Sequence, residues 1–247
     1  MNTKLRTNLF AIAAGLFFSC AGFAQELFVD HKPIAFAPLQ KIEPSQTIGG
    51  YPILNLGNDL FIDGMKTVYA GSGGGDGSGR VPMGLISLID ARDNVFFANI
   101  IVHANLETSF SAADWMDEPC KKDTFLWKKS TGGNFSNINC ATITYQTNFA
   151  QDYPTVVQAR FTRYSASAKR LMYVVSINPV VFGIEKDTEP KWEASSWHKD
   201  RLENDPKKVE FVVHLSKWAE DVQKRMNDAF DKKPDAFSGI APLADYF

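Results

Sequence analysis

The sequence Val-Phe-Phe-Ala-Asn-Ile-Ile-Val at residues 95–102 is the strongest secondary-structure signal in the chain. Its β-branched and aromatic residues are typical of a strand. With strand alternation, one face carries Phe96, Ala98, Ile100 and Val102, and the other carries Phe97, Asn99, Ile101 and His103. Because both faces are largely apolar, this stretch predicts a central strand that is covered on both sides.

Strand and turn signals extend outward from this stretch, from Leu27 to about Ile177. Residues 85–89 precede Ala91-Arg92-Asp93-Asn94, which predicts a hairpin turn into residues 95–102. Asp63-Gly64 lies between two short apolar runs and predicts another hairpin, because both residues tolerate positive φ. Residues 124–128 and 141–145 predict two further strands, joined across Gly132-Gly133.

Residues 155–164 fit two patterns. Val157, Phe161 and Tyr164 have the spacing of a helical stripe, whereas Val157, Ala159 and Phe161 alternate with polar residues as in a strand. The β-branched content and the strand pattern at residues 171–177 favour a hairpin.

Helical signals follow Pro190. Ser196 is the predicted N-cap of a short helix over residues 197–204, and Asp205-Pro206 predicts the start of a longer one. The longer helix carries an apolar stripe of Phe211, Val212, Leu215, Trp218, Ala219, Val222, Met226 and Phe230. We therefore expect an α+β fold, in which an antiparallel, meander-like sheet packs one face against this C-terminal amphipathic helix. A helix lying on a surface is the alternative. The expected domain covers residues 25–231 and leaves 232–247 as a tail.

The first 24 residues have the pattern of an export signal. Lys4 and Arg6 precede an apolar run of about ten residues, which is too short to span a bilayer. Small residues at Gly22 and Ala24 then predict cleavage before Gln25. The alternative is a lipoprotein signal, in which Cys20 becomes the acylated N-terminus, although Phe17 and Phe18 fit that pattern poorly. We expect a periplasmic or secreted protein that has no transmembrane span once the leader is removed.

Removal of the leader leaves two cysteines and an acidic chain. Of 26 basic and 28 acidic residues, two basic residues lie in the leader, so the mature net charge is 24 − 28 = −4. Without a clustered basic stripe, this balance disfavours nucleic acid as a partner. Cys120 and Cys140 predict a structural disulfide, because thiols oxidise outside the cytoplasm. A redox pair is the alternative, and it would have closer spacing, such as Cys-x-x-Cys.

No sequence motif indicates a metal or a cofactor. The glycine-rich residues 70–79 lack the Gly-Lys-Ser/Thr of a phosphate-binding loop and predict a surface connection. The four histidines (His31, His103, His198 and His214) have no metal-ligand spacing. No Gly-x-Ser-x-Gly nucleophile motif is present.

The candidate ligand-binding residues are Trp192, Trp197, His198 and His103. The first three lie within seven residues at the start of the helical region, where two indoles and an imidazole are suited to a sugar or a peptide. Structural anchoring of the loop is the alternative role for both tryptophans. The sequence favours a non-catalytic protein that binds a small ligand or an envelope partner. The alternative is an exported hydrolase assembled from distant residues, with His103 or His198 as the base.

Overall fold

The computed structural model describes residues 27–29, 32–35, 37, 39–43, 45–57, 59–70, 81–92, 95–106, 119–131, 137–165 and 169–247. Within these residues, a seven-stranded antiparallel sheet packs one face against a long C-terminal helix, so the α+β prediction is confirmed. The leader, Cys20, His31 and the glycine-rich residues 71–80 lie outside the described residues.

Four two-residue strands precede the large sheet: β1 Phe28–Val29, β2 Lys32–Pro33, β3 Thr47–Ile48 and β4 Tyr51–Pro52. β3 and β4 form a hairpin through Gly49-Gly50, where φ is +58° and +80°. These angles suit the two-residue turns that match strand twist, and glycine adopts them without steric cost. Leu54 and Leu56 follow this hairpin and are buried in the main core.

The large sheet consists of β5 Phe61–Ala70, β6 Val81–Arg92, β7 Val95–Asn105, β8 Trp127–Thr131, β9 Asn139–Thr147, β10 Thr155–Tyr164 and β11 Arg170–Ile177. Its order is β5-β6-β7-β11-β10-β9-β8. Two meanders, β5 to β7 and β8 to β11, therefore meet where β7 pairs with β11. The hairpin predicted over residues 155–177 and the pairing predicted between residues 124–128 and 141–145 are confirmed, with shifted bounds.

The hairpin predicted at Asp63-Gly64 is wrong. These residues lie inside β5, and neither has a positive φ. The pairing of β5 with β6 shifts between Ile62 and Gly64, which makes Asp63 the extra residue of a β-bulge. The long partner strand β6 keeps β5 extended here, so the Asp-Gly pair bends the strand instead of reversing it.

The hairpin predicted before residue 95 is confirmed, because Arg92 pairs with Val95. The predicted face of Phe96, however, is wrong. A register shift between Asp90 and Ala91 leaves Phe97 as the extra residue opposite β6. Phe97 therefore packs in the main core with Phe182, on the same side as Ala98. Phe96 instead contacts Phe149 and Tyr153.

Helix α1 spans Lys199–Leu202 and α2 spans Pro206–Phe230. The N-cap predicted for α2 is confirmed, since the Asp205 side chain accepts a hydrogen bond from the Lys208 N–H. Every residue of the predicted apolar stripe is buried, and α2 packs chiefly on β9 and β10. The cap predicted for the shorter helix is wrong. His198 is its N-cap, because Ser196 is engaged by Asp187.

The described residues also include three 3-10 helices, at Pro179–Phe182, Trp192–Ala194 and Leu243–Tyr246. Residues 232–247 pack against the domain: Ala236 and Leu243 are buried, and the Phe247 ring contacts Phe182 and Phe211 at a tilt. All helices of the described residues thus contribute to one main core on one side of the sheet. We call this side the first face.

Candidate functional site

The other side of the sheet, here called the second face, carries the side chains of Leu85, Ile89, Ile101, Met172 and Val174. Leu85 is in register with His103 and Met172, and Ile101 is in register with Val174. Leu85, Ile89 and Ile101 are half-buried, and Met172 and Val174 are buried. An antiparallel sheet covered on one side normally presents polar residues on the other. The second face departs from this pattern because its centre is an apolar strip.

A polar row crosses the second face beside Leu85 and Ile101, and Ile89 lies on its far side. It crosses six strands through Asp63, Ser87, Asn99, Ser176, Gln158 and Gln146. Asn99 Nδ2 donates to Ser87 Oγ at 2.8 Å, and Ser87 Oγ donates to Asp63 Oδ2 at 3.0 Å. On the neighbouring strands, Gln158 Nε2 contacts Ser176 Oγ at 3.0 Å and Gln146 Oε1 at 2.7 Å. These contacts fix the side chains in place, so the border of the strip is pre-organised.

Two exposed cations flank the apolar strip. Lys66 on β5 is in register with Leu85, and Arg160 on β10 is in register with Val174. Across four strand spacings, their positions lie roughly 19 Å apart. The second face therefore combines an apolar centre with cationic sides.

His103 lies between these cations. Burial, and after it the charges of Arg170, Arg160 and Lys66, lower the pKa of its imidazole to about 4. The imidazole is therefore neutral at physiological pH. Within the described part of the chain, no hydrogen bond joins His103 to a carboxylate or a hydroxyl. Among the described residues, none is therefore in place as the orienting partner or the nucleophile that would work with a catalytic base.

The structure separates the two candidate tryptophans. Trp197 is 0% exposed and packs against Phe211 in the core, so its indole is inaccessible to a ligand. Trp192 is half-buried and stacks parallel to the Tyr145 ring, with 5.4 Å between ring centroids. The Tyr145 hydroxyl also donates to the Trp192 carbonyl at 2.8 Å. Trp192 therefore holds its loop against β9, in agreement with the anchoring alternative.

His198 touches Trp192 edge-on, with 4.9 Å between ring centroids. Its Nδ1 accepts a long hydrogen bond from the Asp200 N–H and lies 3.5 Å from Asp200 Oδ2. Both contacts are local to the start of α1, and Asp200 is exposed. His198 is thus near Trp192, whereas His103 lies on the second face, and the four candidate residues do not form one site.

Asp187 organises a polar cluster that sequence inspection missed. Its Oδ2 accepts hydrogen bonds from Ser195 Oγ at 2.7 Å, Ser196 Oγ at 2.8 Å and the Ser196 N–H at 2.9 Å. Burial alone would raise the pKa of Asp187, but the donors at Glu189, Ser195 and Ser196 outweigh it and hold this pKa below its usual value. No short motif signals such a cluster, because its members come from a loop and a helix.

Lys208 completes the cluster from α2. Its ammonium lies 2.8 Å from Ser196 Oγ and 3.0 Å from Asp205 Oδ2, and the residue is buried. A serine beside a lysine resembles the nucleophile and base of some hydrolases. Here Lys208 Nζ donates a hydrogen bond to Ser196 Oγ and also pairs with the Asp205 carboxylate. The cluster mainly fastens the loop before α1 to the start of α2.

A shallow cleft of about 340 Å³ lies apart from all these residues, between Lys41–Glu43 and Ile53–Leu60. Lys41 and Asp59 on its wall form an exposed ion pair at 2.8 Å. Across the described ranges, no group of three or more His, Cys, Asp or Glu side chains is arranged to hold a metal ion. In the same ranges, no helix combines the length and the apolar character needed to cross a bilayer.

Comparison with known proteins gives no relative. The chain matches no protein-family model, no curated protein and no solved structure.

Proposed function

We propose that this protein is exported to the periplasm or secreted, and that it works there as a non-catalytic binding protein that engages a ligand or an envelope partner. The observation that carries the proposal is the apolar strip of the second face. Leu85 and Ile101, which are half-buried, lie at its centre on the side of the sheet that no described helix covers. Apolar surface bordered by fixed polar groups is typical of binding sites.

The disulfide supports the export part of the proposal. Cys120 and Cys140 are bonded, with 5.9 Å between their Cα atoms. Such bonds persist in oxidising compartments. The leader motif, which runs from Lys4 to Ala24, supports cleavage before Gln25. Mass spectrometry of the protein from its natural host should give an N-terminus at Gln25, and an acylated Cys20 would instead indicate a lipid anchor.

The binding part is tested by thermal-shift screening of the mature protein against glycans, peptides and divalent metals. A ligand at 100 times its Kd should stabilise the protein by roughly 2.7 kcal/mol. Ile101→Asp should abolish the shift, because it places a charge in the apolar strip. Lys217→Glu, on the exposed side of α2, is the matched control and should leave the shift unchanged. A ligand whose effect survives Ile101→Asp would bind elsewhere and contradict the proposal.

An exported hydrolase is the second candidate function. The specific observation in its favour is the 2.8 Å contact between Ser196 Oγ and Lys208 Nζ beside Asp187. A fluorophosphonate probe should label Ser196 if this serine is a nucleophile, and Ser196→Ala should lose the label. The ion pair of Lys208 with Asp205 leads us to expect no labelling.

A further inference from the structure

Two half-buried cations at the end of α2 form no ion pair within the described residues. Arg163 lies on β10 and Lys169 directly precedes β11. Both pack on the Phe230 ring, with the Arg163 guanidinium carbon 4.7 Å and Lys169 Nζ 4.2 Å from its centroid. Asp231 is near enough to raise the pKa of both groups, but it is exposed. Charges that are partly removed from water are normally paired, so this arrangement is suited to an anion.

Capping of α2 accounts for part of this charge. Lys169 Nζ donates a hydrogen bond to the Phe230 carbonyl at 2.7 Å, as cations at helix C-termini often do. A helix C-terminus supplies only about half of a negative charge, which is less than the charge of Lys169 alone. Arg163 donates to Asn227 Oδ1 at 2.9 Å and to two backbone carbonyls, all of which are uncharged acceptors. Capping therefore does not neutralise the two cations.

Both side chains keep hydrogen-bond donors beyond these contacts. Arg163 Nη2 has no acceptor among the described residues. The Lys169 ammonium has three N–H groups, and the Phe230 carbonyl accepts from one of them. Each side chain also keeps part of its surface accessible to solvent, so a small anion can reach it. Proteins bind phosphate with these two groups, the guanidinium through paired N–H groups and the ammonium as a point charge.

A third cation, Lys232, adds to the positive field. Its Nζ lies 4.9 Å from the centroid of the Tyr51 ring, and Lys169 Nζ lies 5.7 Å from the same centroid. Burial lowers the pKa of the Lys169 ammonium, Asp231 opposes this, and repulsion from Lys232 and Arg163 lowers the pKa further. The three charges therefore act on one another, and an anion beside Lys169 would relieve this repulsion.

We propose that Arg163 and Lys169 form a binding site for a phosphate group at the C-terminal end of α2, with Lys232 strengthening the attraction. The phosphate is carried either by a small soluble molecule or by a lipid headgroup. Phe230 belongs to the main core, so the site is on the first face. It is thus separate from the apolar strip and goes beyond the binding function proposed above.

The test is a thermal-shift titration of the mature protein with inorganic phosphate, at a constant ionic strength set with sodium chloride. Phosphate should raise the Tm in a saturable way, because a ligand that binds the folded chain stabilises it. Arg163→Gln/Lys169→Gln should weaken the apparent affinity at least tenfold, since both charged donors are lost. Lys207→Gln/Lys217→Gln, which removes two exposed ammonium groups from α2, is the matched control and should leave the affinity unchanged.

A purely structural role for the two cations gives a different result. The double variant would then be less stable, but phosphate would raise the Tm of the wild-type protein no more than chloride does, and this outcome would overturn the proposal. Phosphate binding that Arg163→Gln/Lys169→Gln retains would also overturn it. If that variant does not fold, NMR of the wild-type protein decides: phosphate should shift the Arg163 Nε–H and Phe230 N–H signals, and unchanged signals would overturn the site.

Two further measurements identify the source of the phosphate group and separate this site from the strip. Glycerol phosphate and vesicles containing phosphatidic acid present the same phosphate monoester in soluble and in lipid form. Vesicle binding that Arg163→Gln/Lys169→Gln abolishes would support a lipid headgroup, and binding of glycerol phosphate alone would support a soluble ligand. Ile101→Asp, on the second face, should leave phosphate binding unchanged, so the two proposals fail independently.

Discussion

His103 shows how the surrounding residues change the pKa of one side chain. An unperturbed imidazole has a pKa near 6.5, and the surroundings of His103 lower this to about 4. Burial acts first, because it disfavours the charged ring, and the cations Arg170, Arg160 and Lys66 act in the same direction. The sequence predicted that His103 shares a strand face with Asn99, and the structure agrees. The cations near His103 lie on other strands, so the sequence of its own strand did not reveal them.

This pKa predicts the pH dependence of stability. Between about pH 6.5 and pH 4, the unfolded chain binds a proton at His103 while the folded chain does not, so the free energy of unfolding falls as the pH falls. The loss at pH 4 is at most about 3 kcal/mol. His103→Gln should flatten the curve in this window. The measurement is urea unfolding across this pH range, with an NMR titration of the ring. A ring midpoint near 6.5 would contradict the prediction.

Asp187 illustrates a residue that local sequence could not single out. It lies in a loop without a recognisable motif, eight residues before Ser195 and 21 before Lys208. Its role arises because α2 begins beside that loop and places Lys208 against Ser196. The residues next to Asp187 in the sequence do not indicate that Lys208 will contact Ser196.

At the scale of elements, the disulfide fastens the edge of the sheet. β8 has β9 as its strand partner, and the bond joins the segment before β8 to Cys140 on β9. An edge strand has one neighbour, so half of its backbone hydrogen-bonding groups are not paired in the sheet. The disulfide adds a covalent link that holds the chain at β8 to β9. The link was predictable because Cys120 and Cys140 are the two cysteines left after the expected export signal, whereas the strands' final pairing was not.

Removal of this bond has a predictable cost. Cys120→Ser/Cys140→Ser should lower the free energy of unfolding by about 3 kcal/mol, because the unfolded chain regains the freedom of a loop closed over 20 residues. Ser130→Ala, an exposed change on β8, should change it by less than about 0.5 kcal/mol. Urea unfolding without reductant gives both values. An equally stable double variant would show that the bond does not constrain the unfolded chain.

At the scale of the whole molecule, α2 and the sheet form the main core. The stripe of α2 packs chiefly on β9 and β10, and Trp218 meets Phe161 edge-on at 5.5 Å between ring centroids. The remaining helices and the residues after α2 join the same core. The molecule is therefore asymmetric, with packed helices on the first face and the apolar strip on the second.

This asymmetry predicts unequal effects of two similar substitutions on α2. Leu215 is 0% exposed and Val213 is 46% exposed. Leu215→Ala should lower the free energy of unfolding by about 2–5 kcal/mol, because it leaves a cavity between helix and sheet. Val213→Ala should change it by no more than about 0.5 kcal/mol. Chemical denaturation measures both, and similar losses in the two variants would contradict this packing.

The features that local sequence settled were those that depend on residues close along the chain. The alternation from Ala98 to His103, the Asp205-Pro206 start of α2 and its apolar stripe were all readable, because strand and helix periods act over a few residues. The pairing of β7 with β11, the bulges at Asp63 and Phe97 and the Asp187 cluster depend on residues far apart. Folding brings these distant residues together. The second face could therefore be identified only from the strand pairing in the tertiary structure.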